Sequence, residues 1–341
     1  VYKRQVLGQN YPSDELEYSW KKLMQNHPHD SICCCSVDEV QDEMATRFNK
    51  SKQVADYLVS EGTRYIADKI NTKEYEKYKN ALPFVVFNTT GRKRTSVVSV
   101  EIDVTRKSGW LKKCAYDLDE INVPNYKLID SAGNSIPFKI EDLGVRFGYD
   151  LPKDKFRQPY MARRVRVTFE AENISAVGYK TYALVEGDAE KVTDTLVSGE
   201  NCMENDAIRV EINKNGSLNV TDKASGRTYK GVAYYEETGD LGNEYMYKMP
   251  EGSKAITTQD TVAKIELAED EPYRAMYKIT NTITVPKSGD DNFEDEKRHM
   301  VFFKERVGGR SNDTVEMKIE TFVSLDKNGK GVKIKTRFDN E

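Results

Sequence analysis

The sequence predicts an α+β multidomain chain: an N-terminal helical bundle of three-helix type over residues 1–80, then a large antiparallel β-sandwich over 81–341. Three observations predict it. Apolar residues before Pro83 recur at helical spacing, those after it alternate with period two, and no helical stretch long enough for parallel crossovers separates the later runs. A length of 341 residues suits about two domains.

In the first helix Leu16, Trp20, Leu23 and Met24 fall on one face, and Asp14 with Glu17 fits a capping pair. That helix should stop near Asn26, because Pro28 disfavours helical geometry in the residue before it. Ser36 to Glu39 offers a second capping box, followed by an apolar stripe of Val40, Met44, Phe48, Ala55 and Leu58. The stripe can continue through Tyr65, Ile66 and Ile70, with Gly62 its weakest point. Trp20, Met24, Met44 and Phe48 are expected in the bundle core.

After Pro83, strands are expected at 84–87, 97–104, 163–169, 179–185, 208–212, 262–267, 277–285, 315–322 and 332–338. Asn215-Gly216 and Asp326 to Lys330 read as turns, and the charged run Asp290 to Lys297 reads as a solvated hairpin tip. About 260 residues is large for one sandwich, so an extended version or two sheets in succession is expected.

Composition narrows the function classes. Charged residues make up 32% of the chain, yet 52 basic and 56 acidic residues leave a net charge of only −4. That balance gives no pull toward nucleic acid or anionic lipid, and no apolar run approaches the roughly 20 residues of a membrane helix. Five cysteines, three of them adjacent at Cys33 to Cys35, match no secreted disulfide framework and point to a reducing, cytoplasmic setting. Cys33 to Cys35 are most simply a buried turn. The chain opens on Val1, from which a longer parent polypeptide is expected.

Two of only three histidines sit in the run His27-Pro28-His29-Asp30, between the first two helices. Imidazole and carboxylate this close are donors for a divalent metal, but a catalytic zinc wants about three protein ligands and an open position. No H-x-H or H-E-x-x-H partner follows, so the run reads as one wall of a site.

The segment from Trp20 through Asp30 to Cys33, with Cys35 to Val40, resembles the middle region of glycoside hydrolase family 38, the zinc-dependent retaining α-mannosidases, in its bacterial branch. Glu204 to Ile212 with Gly216 to Leu218, Thr221 to Arg227, and Gly239 to Tyr245 extend the resemblance toward the C-terminus. It implies an α/β catalytic domain, then a three-helix bundle, then β-sandwich domains of galactose-mutarotase-like type. This chain would supply the bundle and sandwich and lack the nucleophile, so no catalytic residue is assigned to it. The resemblance implies zinc ligation by His29, with His27 the weaker candidate, and a sugar contact from Asp30. Asp240, Glu244 and Tyr245 are candidates to reach the same pocket, an ordinary turn being the competing reading. Three departures stand out: Cys34 and Gln41 replace a common glycine and histidine, and Asn243 stands where aspartate is more usual.

The implied partners are an α-mannoside or oligosaccharide and the catalytic domain of the same polypeptide, without nucleic acid or membrane, and with homo-oligomerisation left open. Two other functions compete. One is a non-catalytic carbohydrate-binding sandwich with a helical spacer. The other is a structural zinc protein using Cys33 to Cys35 with the histidines.

Overall fold

The structure, a computed structural model, describes residue 5 and residues 7–152, 154–190, 192–243 and 245–339. Its contacts divide the chain into two units, Val1–Glu74 and Tyr75–Glu341.

The first unit contains α1 (Ser13–Met24), the one-turn helix α2 (His29–Ile32) and the 30-residue α3 (Asp38–Ala67), which passes through Gly62 unbroken and stops short of Ile70. Helices α1 and α3 run antiparallel. Ser19 Oγ lies 3.0 Å from Ser51 Oγ, and Asn26 Nδ2 donates to the Met44 carbonyl at 2.8 Å. Neither expected cap forms: Pro12 and Val37 occupy the N-cap positions without a side-chain bond, and Ser36 donates its hydroxyl to the Asp30 carbonyl instead.

The expected core is corrected in three of four residues. Met44 is buried, but Trp20 is 56% exposed, and Met24 and Phe48 also lie open. Two paired helices cover only one stripe of each other. Apolar residues spread over a wider arc stay outside unless a further layer covers them.

The second unit holds two sandwiches with separate cores, rather than one extended sandwich. In the first, the sheet β1 (Leu82–Asn88), β7 (Gly178–Glu186), β3 (Tyr126–Asp130), β4 (Ser135–Ile136) faces the sheet β2 (Arg94–Lys107), β6 (Gln158–Ile174), β5 (Phe138–Asp150). Val165, Val167, Phe169 and Ala171 alternate inward from β6 and meet Leu128, Tyr182 and Leu184. Phe169 and Tyr182 contact edge to face, with centroids 4.9 Å apart. Outward-facing Arg164 and Arg166 pair with Asp103 and Glu101 across the β2–β6 ladder, which explains basic residues inside a strand. Helix α4 (Leu111–Asp119), which has no strong sequence signal, packs on β6 through buried Cys114 and Leu118.

In the second sandwich, the sheet β12 (Arg227–Val232), β11 (Leu218–Asp222), β10 (Ile208–Ile212), β9 (Cys202–Glu204), β8 (Val197–Gly199) packs on β15 (Lys264–Glu271), β16 (Arg274–Pro286), β17 (Thr314–Asp326), β18 (Lys333–Phe338). Met203, Val210, Leu218, Ile279, Val323 and Leu325 form its core. The expected turn at Asn215-Gly216 joins β10 to β11, with Gly216 at φ +83° and a hypothetical Cβ only 2.7 Å from Ile279 Cγ2. A ribbon of β13 (Glu236–Glu237) and β14 (Ile256–Thr257) lies alongside. Every pairing among these strands is antiparallel.

The run 290–297 is corrected from hairpin tip to helix. Asp290 accepts the Phe293 N–H at 2.8 Å and caps α5 (Asp291–Arg298).

Candidate metal and substrate site

The His-Pro-His-Asp run is shaped by its flanks. Asn26, fully buried, ties the end of α1 to α3 through its bond to Met44. Pro28 then sits extended at φ −50°, ψ 140° and starts α2 at His29. The exit of α2 is a Schellman turn. Cys34 N–H donates to the Ser31 carbonyl and Cys35 N–H to the Asp30 carbonyl, both at 3.0 Å, with Cys34 left-handed at φ +61°. That conformation favours glycine, so the departure at Cys34 falls where a side chain is strained.

Held this way, His29 and Asp30 both project from the surface. Nε2 of His29 lies 3.3 Å from Asp30 Oδ1, and the two side chains are 91% and 72% exposed. His27 is exposed as well. An imidazole beside a carboxylate suits a borderline divalent ion such as zinc, and an exposed ring can reach one. Among the described residues, no group of three or more histidine, cysteine or acidic side chains converges, so such an ion would need further ligands from elsewhere. Cys33 to Cys35 form no such group with the histidines among the described residues. Those cysteines are also exposed, not the expected buried turn, because the one-turn helix carries them to the outside. Cys33 Sγ turns back onto the His29 carbonyl, and its thiol pKa is raised chiefly by the hydrogen bond it shares with Cys35.

The second group of candidates lies on a loop of the sandwich unit. Asp240 Oδ1 accepts N–H bonds from Gly242 at 2.7 Å and Lys248 at 2.9 Å, so one carboxylate oxygen is spent on closing the loop. Asn243 Oδ1 accepts from the N–H groups of Tyr245 and Met246. An asparagine carbonyl serves there as well as a carboxylate, which explains the departure from aspartate. Tyr245 presents a 68% exposed ring, while Glu244 lies outside the described residues.

Two residues that sequence reasoning missed hold this loop. Arg306 Nη1 donates to the Leu241 carbonyl at 2.8 Å and to that of Gly242, and Lys248 Nζ donates to the carbonyls of Lys304 and Arg306. Their partners are main-chain oxygens some 60 residues away in sequence, which no local pattern announces. Thus the structure joins His29 to Asp30 in one unit, and Asp240 to Tyr245 in the other.

Comparison with known proteins adds the family to this geometry. Residues 79–186, the first sandwich with its lead-in, match the family described as Glycosyl hydrolases family 38 C-terminal domain 1. The chain belongs to glycoside hydrolase family 38, as the resemblance implied. It is 37% identical, over 96% of its length, to a putative mannosylglycerate hydrolase of Halalkalibacterium halodurans. It superposes with TM-score 0.91 on an α-mannosidase from Enterococcus faecalis V583, at 38% identity over 96% of this chain. A second Enterococcus faecalis structure, titled as a protein in glycosyl hydrolase family 38, gives TM-score 0.91 at 36% identity over 98% of this chain. The chain spans 37% of the first two relatives and 40% of the third.

Proposed function

We propose that this chain acts within a longer polypeptide as the middle and C-terminal part of a zinc-dependent, retaining glycoside hydrolase that removes α-mannosyl groups. The observation that carries the reading is the exposed His29–Asp30 pair, set on a braced turn in a chain of this family. The names of the relatives agree on the sugar: one is called a mannosylglycerate hydrolase, another an α-mannosidase.

In this reading His29 is a zinc ligand in its neutral form, so metal affinity falls at acid pH. Zinc, when bound, would engage sugar hydroxyls and help orient the ring. Asp30 accepts a hydrogen bond from a sugar hydroxyl, which is stronger to a charged acceptor. Asp240, Glu244 and Tyr245 are assigned as further substrate contacts, and Arg306 braces the loop that carries Asp240 and Tyr245. Retention requires a nucleophile and an acid/base carboxyl about 5 to 5.5 Å apart, and both are assigned to the catalytic domain of the parent. Trp20, Met24 and Phe48 would be covered there by the third layer of a three-helix bundle, and the second sandwich is assigned to the galactose-mutarotase-like class. The odd number of cysteines, three of them adjacent, supports a cytoplasmic site of action.

The test is His29→Ala in the parent polypeptide, read by zinc content and by hydrolysis of a nitrophenyl α-mannoside. Activity should fall by more than the roughly 10–100-fold typical of outer-shell changes, and zinc should be lost. Undiminished turnover would refute the assignment. A parent that binds mannosides but hydrolyses none would instead establish the non-catalytic carbohydrate-binding module.

A further inference from the structure

The two sandwiches do not meet flush. Between them lies a cleft of about 340 Å³, bounded on one side by β6, β7 and the β3–β4 turn and on the other by the β15–β16 and β17–β18 turns. Its walls mix carboxylates with ammonium groups: Asp130, Glu170, Glu172 and Asp194 line it together with Lys180, Lys327 and Tyr273. A volume of this order is ample for a monosaccharide.

Two features mark the cleft as more than a seam. Tyr273 is only 2% exposed, and its hydroxyl is buried without a hydrogen-bond partner. Buried hydroxyls are rarely left unpaired, because the lost hydrogen bond to water is not replaced. Glu170 is 7% exposed, far from the usual condition of a carboxylate, and is aligned by Asn328, whose Nδ2 donates to it at 2.7 Å and whose N–H lies at 3.4 Å. Burial raises its pKa, and like charge from Glu172 and Asp326 adds to the rise. The groove continues beyond the first cleft: Glu172 also lines a neighbouring hollow of about 630 Å³ bordered by Arg94, Asn328 and Lys333. There Asp326 Oδ1 is again buried and unpaired.

The chemistry of these walls selects a ligand class. An anion is disfavoured by the excess of carboxylates. A metal ion is disfavoured because no three ligating side chains converge among the described residues. A neutral polyhydroxylated molecule suits them, since each hydroxyl both donates to a carboxylate and accepts from an ammonium or phenol group.

We infer that the inter-sandwich cleft is a second, non-catalytic saccharide site, seating one hexose residue against Tyr273 and Glu170 with room beyond Glu172 for a neighbouring residue. It stands apart from the His29 site and needs no metal. Such a site would hold a glycan on the enzyme between cleavage events.

The experiment is saturation-transfer NMR and calorimetry on this 341-residue chain with methyl α-mannoside and an α-linked mannobiose. Saturable binding should appear, with the disaccharide the tighter ligand. Tyr273→Phe should weaken it about five-fold, the scale of one neutral hydrogen bond. Glu172→Gln should weaken the disaccharide more than the monosaccharide. Chelator and His29→Ala should leave binding unchanged, which separates this site from the zinc site. Tyr273→Phe should also leave the free chain's Tm unchanged or raised. The inference is overturned by absent binding, by binding indifferent to both cleft variants, by loss of binding on chelation, by preference for a simple amine such as ethanolamine, or by a lowered Tm in Tyr273→Phe, which would give the hydroxyl a structural partner.

Discussion

The helical unit buries few of its apolar residues, whereas the sandwich unit builds closed cores from many of its own. Among the described residues of 1–74, Pro12, Met44 and Leu58, with Ser19, Asn26 and Ser51 among polar residues, are buried, while Trp20, Met24, Val37, Tyr57 and Val59 are each more than half exposed. In residues 75–341, Leu128, Val165, Val167, Phe169, Leu184, Val210 and Val323 are essentially inaccessible. A sandwich closes on itself, each sheet being the other's cover. Two helices cannot do this, so the unit bearing His29 leaves much of its apolar surface open.

This contrast is open to direct attack. Phe169→Ala should produce the largest loss, about 3–5 kcal/mol in denaturant unfolding, because it leaves a cavity among Phe84, Val167 and Tyr182. Trp20→Ala should shift stability by less than about 0.5 kcal/mol, as for surface residues in general. Equal effects would erase the distinction between the units.

A polar contact sharpens it. Asn26→Ala should cost about 1 kcal/mol of helical-unit stability by removing the buried bond that ties the end of α1 to α3, visible as early loss of helical circular dichroism. A gain of similar size is expected from Cys34→Gly, about 1 kcal/mol, since glycine relieves the left-handed strain at that position. Loss of stability there would mean the cysteine side chain contributes something its exposure conceals.

The smallest effect depends on pH. The Glu170 carboxyl has its folded pKa raised by burial, so its contribution to stability is complete below the unfolded value and lost as pH rises through the folded one. Glu170→Gln should therefore raise Tm near neutrality, and the gain should vanish near about pH 4, around the ordinary glutamate pKa. A gain constant across that range would exclude the carboxyl charge as its cause.

Reading the chain unaided recovered most of the strands, because alternation is local and burial of one face enforces it: 208–212 emerges as β10, 179–185 inside β7, and 277–285 inside β16. It missed α4 and α5. Helix α5 is mostly charged and rests on the Asp290 cap and on Glu296, whose carboxylate accepts from Val307 and Gly308 N–H. Those partners arrive from a later loop, so the segment's own composition resembled a solvated tip. The caps failed for a related reason: Ser36 donates its hydroxyl to the Asp30 carbonyl, and its oxygen does not accept an N–H from the start of α3.

Periodicity, punctuation by proline and glycine, and one dense cluster of imidazole and carboxylate were fixed by the order of residues alone, since each is a property of neighbours along the chain. The division of the β region into two cores, the left-handed turn at Cys34, the Arg306 brace and the cleft bearing Tyr273 were decided only in three dimensions. Each of them joins groups far apart in sequence or depends on a backbone angle, and neither leaves a trace in a local pattern.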